Sequence, residues 1–504
     1  MKILTASQIR DADKFSIVNE PISSIDLMER AASKCSKWIS AHFSADYKIC
    51  LFCGIGNNGG DGLAIARQLF QKGYEVEVYV IEFSTRFSED FKLNFERLKR
   101  SEIPLKVIKT ISELPNSLNS NDVVVDAIFG SGLNRAADGL AAETIKFLNG
   151  LNNKVLSIDL PSGLFTEDNS TNKRDSIVKA TYTLTFQVPK LALLLPENSV
   201  FVNNFVILDI GLDNAFIEEQ ESTKIYVTPD FIRSIIKRRR KFDHKGTFGH
   251  AMIIAGSKGK IGAAVLATKA ALRSGVGLVT THIPTCGTDI MQISVPEAMV
   301  LENNGEDYLE PGDINIDKYH IGIGPGIDQD KRTILFLEAI LKQSGKAMVI
   351  DADALNILSN HPSLQKLIPS NSILTPHPKE FERLVGQYNN DTEKLEKQTQ
   401  LAHKLRSVII LKGAHTSIAL PDGRLFFNST GNAGMATGGS GDALTGCITS
   451  LLAQGYSSAN AAILGVYLHG LAGDYAMKEK GEYSLIAGDI VSSIPEAYNE
   501  ILTY

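Results

Sequence analysis

Two series of short β-rich runs alternating with helical stretches, interrupted once by a polar acidic segment, constrain this chain more than any other feature. Between Tyr47 and Gly211 the runs are YKICLFCG, EVEVYVI, DVVVDAI, KVLSIDL, ATYTLTF and NFVILDI. The first of them are separated by helical patterns such as GDGLAIARQLFQKG and the amphipathic stretch Phe87–Arg100. Parallel neighbours need long crossovers, so this rhythm predicts βαβ units and a mainly parallel sheet. Helices near Thr5–Phe15 and Ser24–Phe43 are expected ahead of it. Around Asp213–Lys224 (DNAFIEEQESTK) the rhythm gives way, which places a domain boundary near Ser222 and predicts two α/β domains, 1–222 and 223–504. The second series runs AMIIAG, YHIGIG, AMVID, SILTP, VIILKG and TSIAL. It ends in alanine- and glycine-rich helices, Asp442–Gln454 and Ala459–Ala476, whose small residues suit close helix packing rather than a membrane span. A length of 504 residues fits this division, since single cores stop growing beyond roughly 250–300 residues.

Composition narrows the function classes. Hydrophobic residues at 43% and charged residues at 21% describe an ordinary globular chain. A net charge of -6 and the lack of zinc-finger spacing argue against nucleic acid as a partner. The opening MKILTASQIR lacks an apolar signal core, and no apolar run approaches bilayer length, so a cytoplasmic protein with no membrane partner is expected. The five cysteines read as reduced thiols. Cys50 and Cys53 spell C-x-x-C, but in a strand residues three apart point to opposite faces. No H-E-x-x-H or paired histidine pattern suggests zinc. The basic run Lys237–Lys241 reads as a solvated or phosphate-facing segment.

Gly54–Gly62 (GIGNNGGDG) satisfies G-x-G-x-x-G between a strand and a helix, which invites a dehydrogenase reading. Asp61, however, is expected in the first turn of that helix, where it would repel a pyrophosphate. A carboxylate there caps the helix dipole and suits ribose hydroxyls, with Asn57 and Asn58 adding amide donors and acceptors. Two further strand ends, VDAIFG running into SGLNR and SIDLPSG, can converge on the same crevice, since ligands of open parallel sheets sit beyond the carboxyl ends of strands.

Together NNGGDG, DAIFGSGLNR and SIDLPSG resemble the epimerase domain of NAD(P)H-hydrate repair enzymes, over essentially the first ~220 residues. The resemblance implies a Rossmann-like three-layer α/β sandwich. It implies hydrate binding by Asn57, Asn58, Gly59, Gly60 and Asp61, by Gly130, Ser131, Gly132, Leu133, Asn134, Arg135 and Ala136, and by Asp159. It also implies a potassium ion held by Asn58, Asp126 and Ser162, oxygen ligands that suit a hard cation. The hydrate carries a hydroxyl on C6 beside the ring nitrogen. Its loss or ring opening erases the stereocentre, and one placed carboxyl group can assist both directions. Asp159 is the expected catalytic group; its competing role is to cap its own loop.

In the second half, Gly438-Gly439-Ser440-Gly441-Asp442 precedes an apolar helix expected over Ala443–Gln454. Consecutive small residues let backbone N–H groups surround an anion, and Asp442 stands where a substrate hydroxyl would meet it. Lys412 to Thr416 and Asn432 to Thr437 suit the phosphates and base of a nucleotide, while the absence of G-x-x-x-x-G-K-[ST] excludes a P-loop enzyme.

This set resembles the ribokinase-like superfamily. More narrowly, SKGKIGAAVLA, GIGPG, DADAL, TPHPKEF, LKGAHT and NAGMATGGSGDALTG resemble the NAD(P)H-hydrate dehydratases across the chain after the boundary. The resemblance implies a ribokinase-like α/β domain. Nucleotide contacts would come from Lys412, Gly413, Ala414, His415 and Thr416, and from Asn432, Ala433, Gly434, Met435, Ala436, Thr437, Gly438, Gly439, Ser440 and Gly441. Ala263, Gly326, His377 and Asp442 would line the hydrate site, with His377 alternatively bonding only to backbone. Asp442 would take the hydroxyl proton and magnesium would bridge the nucleotide phosphates. ADP is the expected phosphoryl donor, with ATP the alternative; NADHX and NADPHX are the expected substrates, and a homo-oligomer is expected. A kinase of a small alcohol explains GGSGD equally but leaves NNGGDG and SIDLPSG without a task. A non-catalytic nucleotide sensor leaves Asp442 and Asp159 without one, and Asp61 disfavours an oxidoreductase.

Overall fold

The computed structural model describes residues 1–503. Contacts divide the chain into two compact units, Lys2–Ser222 and Thr223 onward, with Met1 joining the latter.

The first unit contains β1 (Ile49–Cys53), β2 (Val76–Ile81), β3 (Leu105–Ile108), β4 (Val123–Ala127), β5 (Lys154–Ile158), β6 (Ala180–Phe186) and β7 (Val202–Leu208). They form one sheet in the order β3-β2-β1-β4-β5-β6-β7, every pair parallel. β1 and β2 are buried throughout, the continuous apolar pattern of a sheet covered on both faces. Leu51 and Cys53 join a core with the helices Ser24–His42, Asn57–Gln71 and Glu89–Lys99, whereas Cys50 and Phe52 face the helix Gly139–Asn149. Three layers result, and the two cysteines lie on opposite faces as the pleat requires. The connections from β5 to β6 and from β6 to β7 carry only 3-10 turns, so βαβ regularity stops after β5.

The second unit contains β8 (Lys224–Tyr226), β9 (His250–Ile254), β10 (Leu278–Ile283), β11 (Met299–Glu302), β12 (His320–Ile323), β13 (Val349–Ile350), β14 (Ile373–Leu374), β15 (Val408–Leu411), β16 (Ser417–Ala419) and β17 (Leu425–Phe427). Their order is β11-β10-β9-β12-β13-β14-β15-β16-β17-β8, parallel except that β16 runs antiparallel to both neighbours. Helices Ile261–Arg273 and Ser440–Ala453 pack on one face through small residues such as Ala267, Ala270 and Gly446. On the other face Phe336 of the helix Lys331–Gln343 stacks on His282 of β10 at 5.6 Å. The glycine-run helix begins at Ser440, not at Ala443 as expected, which puts Asp442 inside its first turn. The basic run is tied to the protein's own groups: Lys237 Nζ donates to Gly455 O at 2.7 Å, and Arg239 lies over the Phe248 ring. Among the described residues no helix is long and apolar enough to cross a membrane.

Strand order reverses once in each sheet, between β1 and β4 and between β9 and β12. Adjacent crossovers leave in opposite directions there, opening a crevice at the carboxyl ends. At the first reversal a Cβ on Gly54 would stand 2.1 Å from Ile128 O, so only glycine lets the loops after β1 and β4 touch. Trp38, the single tryptophan, packs against the first unit's core, so its fluorescence reports on that unit. Gly54→Ala is expected to lower urea stability read at Trp38 by about 1–3 kcal/mol, the usual range for overpacking; an unmoved transition would show that the two loops separate freely.

Two candidate active sites

A cavity of about 840 Å³ lies at the β1/β4 reversal. Asn57, Asn58 and Asp61 reach it from the loop and helix after β1, Gly130 to Ala136 from the loop after β4, Asp159 from the end of β5 and Lys190 from beyond β6. Gly59 and Gly60 do not line it: they pack beneath, against the Gly54 backbone and the Met28 side chain.

Asp159 is the centre of this site. Its φ of +66° is left-handed, a conformation that costs a non-glycine residue of order 1 kcal/mol or more and needs fixed partners. Those partners are Lys190 Nζ, 2.8 Å from Oδ1, and the Ser131 N–H, which donates to Oδ2 at 2.8 Å. Lys190 is fully buried and also donates to Phe186 O at 2.9 Å. Burial alone would raise the Asp159 carboxyl, but the Lys190 ammonium and the Ser131 donors outweigh it, and the net direction is down. The group is an ionised carboxylate.

Of the other carboxyls lining the cavity, Asp61 and Asp13 shift the opposite way. Asp61 is no helix cap: the helix begins at Asn57 with Gly56 as its N-cap, leaving Asp61 one turn inside. Burial, then Asp159 and Asp13, push it well above the usual carboxylate range. Asp13, from the helix Ala6–Asn19, is raised to about 6 by burial and by Asp159, against the pull of Lys190.

Asp126 sits below these groups, fully buried. It accepts hydrogen bonds from Ser162 Oγ (2.5 Å), Ser162 N (2.8 Å), Ser157 Oγ (2.7 Å) and Ile128 N (3.3 Å), yet burial still raises it. The Asn58 amide nitrogen nearby is buried without a partner, and a Cβ on Gly130 would lie 3.2 Å from Asn58 Oδ1 and 3.0 Å from Asp159 Oδ2.

In the second unit the reversal brings Gly326 and Ala263 together: a Cβ on Gly326 would lie 3.1 Å from that of Ala263. Gly439, at φ +89°, turns the chain into the helix from Ser440, and a side chain there would strike Leu266 at 2.5 Å. The first-turn N–H groups are thereby left to face a ligand. Beside them Lys412, just past β15, pairs with Asp351, just past β13, at 2.9 Å, and Thr445 Oγ1 donates to the other Asp351 oxygen at 2.7 Å. A Cβ on Gly441 would lie 3.3 Å from Lys412 Nζ, so this pair borders the glycine loop. Burial raises Asp442 to about 6, helped by Asp351 and Asp353 and opposed by Lys412.

The remaining expected residues surround that core. His377 caps the helix Pro378–Val385, its Nδ1 accepting from Lys379 N at 3.1 Å and Glu380 N at 3.4 Å, the backbone role weighed for it. Its ring is also within the field of Lys412 and Asp351. Gly413 and Thr416 close a turn through Thr416 Oγ1, with Ala414 exposed and His415 Nδ1 3.2 Å from Asn428 O. Asn432 donates to Asp474 at 2.8 Å and keeps a buried oxygen without a partner; Gly431 N also donates to Asp474. Ala433, Gly434 and Met435 form a 3-10 turn, and Ala436, Thr437 and Gly438 lead from it to Gly439. Ser440 Oγ lies 3.5 Å from the buried His469.

Comparison with known proteins covers both units. A family profile described as NAD(P)H-hydrate dehydratase matches residues 251–496, and one described as YjeF-related protein N-terminus matches residues 24–192. The bifunctional NAD(P)H-hydrate repair enzyme of Moorella thermoacetica is 36% identical over 98% of this chain and 96% of its own length. This chain belongs to the bifunctional NAD(P)H-hydrate repair enzyme family. The relative of the same description from Thermofilum pendens is 31% identical over 99% of this chain and 96% of its own. A Bacillus subtilis ADP/ATP-dependent NAD(P)H-hydrate dehydratase, co-crystallised with ATP and magnesium, is 30% identical, with 55% of this chain and 98% of that one covered at a TM-score of 0.48.

Five residues of these sites escape a reading of the sequence. Lys190 had a visible signal, a lone lysine in the apolar run VPKLALLL, since a buried ammonium requires an anion. Asp351 lies in the motif DADAL but gains a role only once β13 and β15 are neighbours. Asp13, Thr445 and Asp474 sit on helices far in sequence from the groups they face and carry no local signal.

Lys190→Met leaves the Asp159 carboxylate buried and unpaired. At neutral pH the variant is expected to lose about 3–5 kcal/mol of the urea stability read at Trp38. Without the ammonium, burial raises the carboxyl above its unfolded value, so the deficit should shrink as pH falls and Asp159 protonates. A deficit independent of pH would mean that the ion pair does not hold this loop.

Proposed function

We propose that residues 1–222 interconvert the C6 epimers of hydrated NADH and NADPH. Residues 223–504 return the S hydrate to NADH or NADPH, with ADP as phosphoryl donor giving AMP and phosphate, and ATP as the alternative donor. The observation that carries this reading is that kinship over nearly the whole chain includes both crevices, and each crevice holds a carboxyl poised for proton transfer beside a glycine loop.

In the second unit hydroxide is a poor leaving group, whereas a phosphorylated hydroxyl departs readily under push from the adjacent ring nitrogen. Asp442, raised to about 6, is ionised at neutral pH yet basic enough to take the hydroxyl proton. The N–H groups of the Ser440 helix stabilise charge on the moving phosphoryl group, and Lys412, fixed by Asp351, adds positive charge beside them. Magnesium would be held by the nucleotide phosphates beside that loop, since both Asp351 oxygens are taken by Lys412 and Thr445 and Asp442 is reserved for the hydroxyl proton. In the first unit Asp159, ionised and rigidly held, is the proton acceptor. Asn58, Asp126 and Ser162 would hold a potassium ion through oxygen atoms, and Asp126 is a buried carboxyl with no ion pair among the described residues; the Asn58 atom without a partner is its amide nitrogen, a donor that such an ion would not satisfy. Such an ion would offset the buried charge and steady the loop that carries Gly130.

Asp442→Asn should cut nucleotide-dependent dehydration by about two to four orders of magnitude while epimerisation persists. The wild-type dehydration rate should fall as pH drops below about 6, where Asp442 protonates. Recovery of dihydronicotinamide absorbance from hydrated NADH, with ADP or ATP and magnesium, reads both; near-normal dehydration by the variant would remove Asp442 from the mechanism.

Asp159→Asn tests the other half. A stereospecific acceptor site stalls on one epimer, so the variant should consume the S hydrate and leave the R hydrate to spontaneous conversion, giving biphasic progress curves. Chiral separation of the residual hydrate decides the matter: equal depletion of both epimers beyond the spontaneous rate would rule out Asp159.

A further inference from the structure

The helix Ala6–Asn19 turns Ile9, Asp13 and Ile17, each four residues apart, toward the cavity of the first unit. The first and last are apolar, as a helix stripe facing a pocket should be. Asp13 interrupts that stripe with a half-buried carboxyl that makes no hydrogen bond or ion pair among the described residues. An alanine or leucine there would pack at no such cost.

Asp159 cannot supply what epimerisation needs at the outset. Its Oδ1 is engaged by Lys190 and its Oδ2 by Ser131, and it is ionised. It accepts a proton but starts with none to give, whereas departure of the C6 hydroxyl as water requires a donor. Asp61 also lines the cavity, and burial, then Asp159 and Asp13, push it up; it sits one turn inside the helix of the glycine loop, whereas Asp13 interrupts an apolar stripe on a separate helix. Asp13 faces Asp159, Lys190 and Asp61 across the cavity. Arg10 and Lys14 flank it on its own helix, and Arg86 and Asp90 line the same cavity.

We propose that Asp13 is the general acid of the N-terminal site, donating the proton with which the C6 hydroxyl leaves, and that Asp159 takes a proton from the water that returns. This rests on the epimerase reading above. The Asp13 proton goes to the hydroxyl oxygen, the C6–O bond breaks with its electron pair leaving as water, and the ring-nitrogen lone pair forms an iminium. Water adds to C6 from the other face and gives one proton to Asp159. The net result is inversion at C6 with one proton moved from Asp13 to Asp159; exchange with solvent restores both groups, and the reverse epimerisation uses them in exchanged roles.

The test is conversion of purified R hydrate to S by the full chain without nucleotide, followed by chiral separation across pH 5 to 9. Asp13→Asn keeps shape and removes the proton; kcat is expected to fall by about a hundredfold or more, with KM changed much less. In the wild type kcat should decline as pH rises through about 6, where Asp13 loses its proton, and that limb should vanish in the variant. Asp13→Glu should restore part of the rate and the limb. Removing a carboxyl repelled by Asp159 should leave the Trp38 urea transition unchanged or strengthened; if Asp13→Asn fails to fold, the wild-type limb and its shift in Asp13→Glu decide. Wild-type kcat in Asp13→Asn, or an alkaline limb that survives in it, overturns the proposal. A wild type that converts R to S no faster than buffer overturns the epimerase reading itself, and the two failures are told apart by that control.

Discussion

A parallel sheet cannot turn its strands directly, and where its strand order reverses it must leave a crevice at the carboxyl ends. Everything functional here follows from having two such reversals, β1/β4 and β9/β12, each within its own unit. The chemistry gathers there because strand ends deliver short loops to one place: Asp126 and Asp159 arrive on β4 and β5, Lys412 and Asp351 from β15 and β13. Glycines are required where those loops touch, as Gly54 against Ile128 shows, and where the chain must turn left-handed into a helix, as Gly439 does.

Each crevice pairs one carboxylate with a buried or half-buried lysine and leaves another carboxyl raised by burial. In the first, Lys190 bonds to Asp159 while Asp61 and Asp13 are raised beside it; in the second, Lys412 bonds to Asp351 and Lys260 to Asp353 while Asp442 is raised. Burying unmatched carboxyls costs free energy and raises their pKa, a cost tolerated where protons must move. It also makes the sites receptive to hydrogen-bonding hydroxyls rather than to bare anions.

What could be read in advance was what is local in the chain. The alternation of strand and helix, the glycine loops, the strand-end aspartates and the facing of Cys50 and Cys53 are each set by a few consecutive residues. The error over Asp61 was also local: Gly56 rather than a polar side chain caps the helix, which starts early enough to enclose Asp61. Asn149, whose amide donates to Ile177 O across the chain at 2.8 Å, illustrates the other kind, as do Asp13 and Asp474: partners brought together only by the finished sheet leave no periodic trace.

The same residue type is poised in opposite directions in the two units, and the reason is which carboxylate receives the lysine. Lys190 bonds directly to Asp159, so the ammonium field outweighs burial and the group stays ionised. Lys412 is close enough to act on Asp442 but bonds to Asp351, which Thr445 also holds. Burial is the main cause of the rise at Asp442, and Asp351 adds negative charge beside it while holding Lys412, whose field opposes the rise. A carboxylate paired outright, as in the first unit, needs a separate proton donor, and Asp13 meets that need. A carboxylate left near 6 combines an ionised resting state with appreciable basicity, which is what removal of a hydroxyl proton asks of a single residue.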